Sequence, residues 1–393
     1  MADVITLDEL NALSPESFTA ALGAIFEHSP WIARAAAAAR PFRSRLQLLD
    51  TMRAVLEQSS ADAQRALIQA HPQLGVRGTA RASLTAASAR EQRRAGLQAC
   101  TADELARLAQ LNARYQRQFG FPFILAVRGH DPASIIANCE QRLAHDGQQE
   151  RRTALAQIGL IAGYRLADVI VSSAAAEILA MLERLAMLHT VAAGNAAGSA
   201  AGSATANAGS AGIGGLVREW MLAAGLEVCV DAGGSVLGLR RSGRPGANTL
   251  LTGVHYDPLR NGLCHEGWLG FVVAIAVSQR LRQQAVGLNF DLAVLARTQQ
   301  ASAGDAASLS DADALRGCVA LSDVEAANAD AIETRSTLRA AGIDGAVLVL
   351  VREAAAGIRY RGEQTVDERR AEQAARVLEG ALRQTGSPAA LHG

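Results

Sequence analysis

The chain lacks the features that announce several large functional classes. It has no C-x-x-C pair: its five cysteines, Cys100, Cys139, Cys229, Cys264 and Cys318, are odd in number and widely spaced. This argues against a disulfide framework and a structural zinc knuckle, and fits a reducing compartment. It has no surplus charge of either sign, with Lys plus Arg and Asp plus Glu at 38 each. Without an excess positive field there is nothing to hold a phosphate backbone or an anionic membrane surface, so neither nucleic acid nor membrane is an expected partner. No uncharged apolar run reaches membrane-spanning length, and Met1-Ala2-Asp3-Val4-Ile5-Thr6 lacks the basic and apolar regions of a signal peptide. Leu391-His392-Gly393 is no peroxisomal address. The expectation is a soluble globular protein of the cytoplasm.

What is present divides the chain. With 393 residues, 49% of them hydrophobic, it is long enough for two or three domains with substantial cores. Residues 1–190 read as successive helices, with strand-like alternation scarce, which predicts an all-helical N-terminal domain. Ser14-Pro15-Glu16-Ser17 is a helix start, followed by Phe18, Leu22, Ile25 and Phe26 at helical spacing. Similar periodicity recurs through Leu46–Leu56, Leu105–Leu111, Ile135–Leu143 and Leu155–Leu166. Residues 191–212 are Ala, Gly, Ser and Asn with few large apolar side chains, the composition of a flexible linker. Residues 213–345 read as an α/β domain and 346–393 as a C-terminal extension with a charged helix near 366–382.

Chemistry concentrates in the helical half. His71, in Gln69-Ala70-His71-Pro72-Gln73-Leu74-Gly75, sits between the end of an amphipathic run and a proline. A helix must stop there, which suits either a capping residue or a held proton donor. Ser88-Ala89-Arg90-Glu91-Gln92 has the spacing of a capping box, and the same geometry leaves Glu91 and Gln92 where a polar ligand could meet them. Phe119-Gly120-Phe121-Pro122-Phe123-Ile124 is an aromatic cluster, either core or a break whose backbone groups face apolar walls. Arg165 puts a guanidinium on a long apolar helix, where it needs a structural or a substrate carboxylate.

Taken in order, His-Pro-x-Leu-Gly, Ser-x-x-Glu-Gln-x-x-Ala-Gly-Leu, Leu-Asn-x-x-Tyr-x-x-x-Phe-Gly-Phe-Pro-Phe-Ile and Arg-Leu-Ala-Asp resemble OHCU decarboxylase of uric acid degradation, over about residues 5 to 172. The resemblance implies an all-helical, usually dimeric enzyme without a cofactor that converts 2-oxo-4-hydroxy-4-carboxy-5-ureidoimidazoline to S-allantoin and carbon dioxide. It further implies His71 as the acid/base group, engaging the substrate hydroxyl with Pro72 fixing its approach. Glu91 and Gln92 would hold ureido and ring N–H groups, with Ser88 at the pocket edge. Arg165 would take the carboxylate or a ring carbonyl, and the backbone around Phe121, Phe123 and Ile124 would cover the ring. Unperturbed, a histidine near 6.5 suits proton transfer close to neutrality.

The second half is similar to the metal-binding layer of zinc amidohydrolases related to allantoate amidohydrolase and N-carbamoyl amino acid hydrolase. The likeness runs from Pro245-Gly246 through Gly253-Val254-His255-Tyr256-Asp257 to Asn261-Gly262. Its departures are in the machinery. The family's bridging aspartate is replaced by Glu266 in His265-Glu266-Gly267-Trp268-Leu269-Gly270, and its Glu-Glu pair by Arg297-Thr298-Gln299-Gln300. The extra methylene of Glu displaces an oxygen by more than about 1 Å, poor for a two-metal spacing of roughly 3.5 to 4 Å, and amides cannot take a proton from metal-bound water. A truncated, inactive relative is the expectation. The alternative is a bifunctional enzyme that also hydrolyses allantoate through a metal held by His255, Asp257, His265 and Glu266.

Overall fold

The computed structural model describes residues 4–75, 85–97, 100–197, 202–230, 235–244, 247, 249–256, 265–288 and 290–298, with 319–320, 347–348 and parts of 369–379. The chain forms two compact units, residues 1–171 and 172–393.

In the first unit the described helices are α1 (Leu7–Ala12), α2 (Pro15–Leu22), α3 (Pro30–Ala36), α4 (Arg45–Glu57), α5 (Ala61–Ala70), α6 (Ala86–Arg94), α7 (Ala102–Phe119), α8 (Pro132–Arg142) and α9 (Gly147–Val169). Local chemistry sets their ends. Ser14, Ser44, Ser60, Thr85, Thr101, Asp131 and Asp146 each accept a backbone N–H at a helix start, and Pro15, Pro30 and Pro132 occupy first-turn positions. Gly120, left-handed at φ 76°, closes α7. The core gathers Phe18, Phe26, Ile32, Leu48, Met52, Leu67, Ile68, Tyr115 and Ile158. Helix α9 is buried nearly all round from Ile158 to Ala167, because Gly159, Ala162, Gly163 and Ala167 let neighbours approach; a Cβ on Gly159 would stand 3.1 Å from Arg53 Nε. One feature departs from the expected all-helical unit: β1 (Ile5–Thr6) pairs in parallel with β2 (Ile170–Val171).

In the second unit α10 (Ala174–Ala197) packs on α11 (Gly202–Ala223) and on α12 (His265–Gln283). The unit boundary therefore falls nearer Val171 than the composition suggests, and the described residues of the Ala/Gly/Ser stretch are helical. Alanine has the highest helix propensity, which a composition argument about packing overlooks. A six-stranded sheet runs in the order β3 (Glu227–Val230), β4 (Val236–Arg240), β6 (Asp291–Thr298), β5 (Thr249–Tyr256), β8 (Val347–Leu348), β7 (Val319–Ala320). It is mixed: β5 is parallel to β6 and β8, and the remaining pairs are antiparallel. Helix α12 joins β5 to β6 and packs on both, as a β-helix-β segment should. The described residues of 369–379 are helical and set Ala371, Ala375 and Leu378 inward, with Glu372 and Glu379 paired to Arg280. The charged tail helix expected as a solvated face is thus anchored on one side.

Candidate active site

His71 stands where α5 ends. Leu67 and Ile68 are buried, Pro72 disfavours a helical turn at the residue before it, and His71 turns extended at φ −73° and ψ 137°. Its ring Nδ1 lies 3.1 Å from the Leu67 carbonyl oxygen. A carbonyl only accepts, so this contact assigns the hydrogen to Nδ1 and leaves a lone pair on Nε2. Nε2 is buried and without a hydrogen-bond partner among the described residues. Burial pulls the imidazole down to about 4, against the opposing pull of the Leu67 carbonyl and the Glu27 carboxylate. The ring is therefore a neutral base at pH 7, well below the near-neutral value expected of an unperturbed histidine, because desolvation outweighs the nearby negative charge.

Three consecutive backbone residues beyond Pro72 are pinned by side-chain amides. Gln92 accepts the Gly75 N–H and donates to the Gln73 carbonyl, each at 3.2 Å, and Asn112 donates to the Leu74 carbonyl at 3.0 Å. Gly75 adopts φ +74°, which turns the chain under α7. Gln92, which the family resemblance makes a substrate contact, also holds the loop that follows His71 and Pro72.

Arg165 projects from α9 into a ring of acceptors. Glu91 of α6 takes Nε at 3.0 Å and NH2 at 3.1 Å, a two-pronged pairing. Glu27, in the segment after α2, takes NH1 at 2.8 Å, and Ser88 accepts NH2 at 3.0 Å while donating its hydroxyl to Glu27 at 3.1 Å. Burial disfavours the charge on Arg165, but Glu91 and Glu27 together raise its pKa above the ordinary value. Burial likewise opposes ionisation of Glu27, yet Arg165 outweighs it and holds the carboxyl below its usual range. Two carboxylates of the chain, Glu91 and Glu27, thus occupy Arg165 in this structure. The capping box read at Ser88 and Glu91 is displaced: Thr85 caps α6 by accepting the Ser88 N–H, so Ser88 lies inside the first turn with its hydroxyl turned to Glu27 and Arg165.

The break after α7 is largely core. Phe121 and Phe123 are buried edge-on to Tyr115, at 6.0 and 5.3 Å between ring centroids, and Arg142 lies over Phe123 at 4.7 Å. The Ile124 carbonyl accepts from Arg142 NH1 at 2.6 Å, and Arg142 also pairs with the fully buried Glu150, which is bonded to Tyr115 and to His145. This second polar cluster stiffens the segment, and Gln69 ties it to the end of α5 by donating to the Gly120 carbonyl at 3.3 Å. The structure bonds Ser88 and Glu91 to Arg165, sets Gln92 on the loop beyond Pro72, and leaves His71 within electrostatic reach of Arg165 and Glu27, while Phe121, Phe123 and Ile124 pack with Tyr115 and Arg142. Glu27 was missed. Its one local signal is a charge directly after Ile25-Phe26, and its partner lies 138 residues away.

In the second unit β5 carries His255 opposite Arg297 of β6. The side chains of His255, His265 and Glu266, together with Asp257, Gln299 and Gln300, lie outside the described residues. Among the described residues no group of three or more His, Cys, Asp or Glu is placed to hold a metal ion. No described helix is long and apolar enough to cross a membrane.

Residues 11–167 match the family model of OHCU decarboxylase. The chain is 40% identical over 164 residues to 2-oxo-4-hydroxy-4-carboxy-5-ureidoimidazoline decarboxylase of Haloferax volcanii, spanning 95% of that protein and 42% of this chain. It belongs to the OHCU decarboxylase family. A putative decarboxylase of the same description from Homo sapiens is 37% identical over 164 residues, again 95% of that protein and 42% of this one. A uric acid degradation bifunctional protein of Bacillus subtilis is 40% identical over 167 residues, which make up 33% of its own length and 42% of this chain. The crystal structure of (S)-allantoin synthase aligns at 32% identity and a TM-score of 0.34, covering 41% of this chain and 53% of that one. The OHCU decarboxylase motifs all lie in the first unit.

Proposed function

We propose that this chain decarboxylates 2-oxo-4-hydroxy-4-carboxy-5-ureidoimidazoline to S-allantoin in urate degradation, with His71 as its acid/base group. Family membership supports the reaction, and the observation that supports the role is the buried Nε2 of His71, without a partner among the described residues, on a ring fixed by the Leu67 carbonyl. In this substrate the electron pair of the breaking C–CO2 bond can flow into the adjacent C=N of the ring. The ring nitrogen that receives this pair takes a proton from water, the hydroxyl gives up its proton as the carbonyl forms, and that proton is returned to one face of the ureido-bearing carbon. Nε2 accepts the hydroxyl proton, for which a neutral ring in the Nδ1–H form is suited. Arg165 receives the carboxylate or a ring carbonyl, Glu91 and Gln92 the N–H groups, with Ser88 and Pro72 at the edge and the backbone of Phe121, Phe123 and Ile124 over the ring. Holding these groups in one geometry orients the breaking bond and the proton acceptor together.

The test is His71→Ala in the full chain, with substrate generated in place from urate and product chirality followed by circular dichroism. General acid/base groups contribute about 100- to 10,000-fold, so the enzymatic rate should fall by that factor toward the spontaneous one. A folded His71→Ala that forms S-allantoin at the wild-type rate refutes the role. The same reading includes a cytoplasmic homodimer formed through the helical unit, which sedimentation of the purified chain would examine. Residues 213–345 are read as a truncated amidohydrolase-like layer without hydrolytic activity. Stoichiometric zinc together with ammonia release from allantoate would overturn that.

A further inference from the structure

The two carboxylates on Arg165 are not equivalent. Glu91 occupies the Nε/NH2 edge, the side of a guanidinium that best matches a carboxylate, and its side chain keeps 21% of its exposure. Glu27 occupies NH1, holds the Ser88 hydroxyl as well, and its side chain is 1% exposed. Water can re-solvate Glu91 if a ligand displaces it, whereas displacing Glu27 would strand a buried charge. The backbone at Glu27 is also specially set. His28, the next residue, is held at φ 48°, a left-handed conformation that a residue other than glycine keeps only where its surroundings impose it.

On the reading that this site decarboxylates a carboxylate substrate, we propose that Glu27 is a positioning residue for the reaction: it fixes Arg165 and Ser88 permanently and leaves Glu91 as the carboxylate that exchanges for the substrate's. Arg165 then presents its Nε/NH2 edge in an orientation set before the substrate arrives, and the released Glu91 is free to accept the ureido N–H groups. The charge of Glu27 is essential to this role. It is ionised at neutral pH because Arg165 outweighs its burial, and it lies within electrostatic reach of His71, whose ring also feels Arg165 and His28.

Two variants of the full chain separate charge from shape. Glu27→Gln keeps the length and one oxygen able to accept from both Arg165 and Ser88, as Oε2 does, but not the charge, and Glu27→Asp keeps the charge but shortens the reach by one methylene. If Glu27 positions Arg165 through its charge, kcat/KM per folded molecule falls at least tenfold in Glu27→Gln and less in Glu27→Asp. A residue that merely fills space gives the opposite order, with the isosteric Gln near wild type and the shorter Asp worse. Rates are measured on substrate made in place from urate, and thermal unfolding by circular dichroism gives the folded fraction. Should Glu27→Gln not fold, Glu27→Asp decides alone: more than a tenth of wild-type kcat/KM supports the assignment, and less overturns it. A wild type that does not exceed the spontaneous rate removes the decarboxylase reading and this role with it. A wild type that does, with Glu27→Gln as fast as Glu27→Asp or faster, removes the role of Glu27 alone.

Discussion

Replacing Arg165 by Met keeps the apolar stem in α9 and removes the guanidinium that Glu27, Glu91, Ser88 and the Ala24 and Ile25 carbonyls share. The losses are unequal. Glu91, at 21% exposure, can turn to water, whereas Glu27, at 1%, is left as a buried charge. Removing one partner of a buried pair costs roughly 3–5 kcal/mol, which at about 2–4 °C per kcal/mol for a domain of this size lowers the midpoint by roughly 6–20 °C. The cost depends on pH in a defined direction. In the wild type the Glu27 pKa is lowered, so its contribution is present above the unfolded-state value and lost as pH falls through the folded one. In Arg165→Met burial is no longer outweighed and the pKa rises above the ordinary 4.5, so the variant recovers stability as acid neutralises Glu27. Urea unfolding of both proteins by circular dichroism, from about pH 8 to about pH 5, should therefore show the gap between them narrowing. Adding Glu27→Gln to Arg165→Met should recover stability at about pH 8 by removing the stranded charge. A gap below about 1 kcal/mol, or one independent of pH with no recovery in the double variant, would refute the reasoning.

Other outcomes follow from the same geometry. His71 is lowered from 6.5 to about 4, so as pH falls the unfolded chain takes up its proton first. Stability then declines below about 6.5 and, at about 1.4 kcal/mol per pH unit, has lost roughly 3 kcal/mol by about pH 4; His71→Gln should lack this component in urea titrations across the window. Gly75→Ala places a Cβ 2.5 Å from Leu108 Cδ2 and a side chain at φ +74°. It should cost about 1–2 kcal/mol of stability in thermal unfolding and slow S-allantoin formation by shifting the loop under His71. Glu150→Gln leaves Arg142 buried beside a neutral amide, and a drop of roughly 3–5 kcal/mol in urea unfolding is expected.

Much of the helical unit is legible locally because its signals are local. Ser14 before Pro15 caps a helix, Gly120 ends one, and Pro72 stops α5 at His71, each through bonds or clashes within a few residues. Arg165 could be flagged from its apolar surroundings, but not Glu27, since their pairing joins positions 138 apart. Ser88 shows how two local rules compete. Both Thr85 and Ser88 can cap a helix, and the choice is decided by Glu27, 61 residues away, which takes the Ser88 hydroxyl. The Ala/Gly/Ser stretch differs for another reason: its lack of large side chains predicts a linker, whereas alanine favours the helix that its described residues adopt. In the second unit the α/β reading agrees with β3 to β6 and α12, while the ion pair that anchors the tail helix joins Glu379 to Arg280, 99 residues away, and leaves no local signal.

The pairing of Ile5 with Ile170 and Thr6 with Val171 makes the decarboxylase unit a closed loop of chain, entered and left at adjacent strands. Because the two strands run in the same direction, a linker joining position 171 to position 4 has to run back along the pair, about a dozen residues, after which new termini could be opened elsewhere. The same closure makes the unit portable. Both edges of the unit meet at one two-residue strand pair, while the bonds that hold Arg165 to Glu27 and Glu91 are made by other residues.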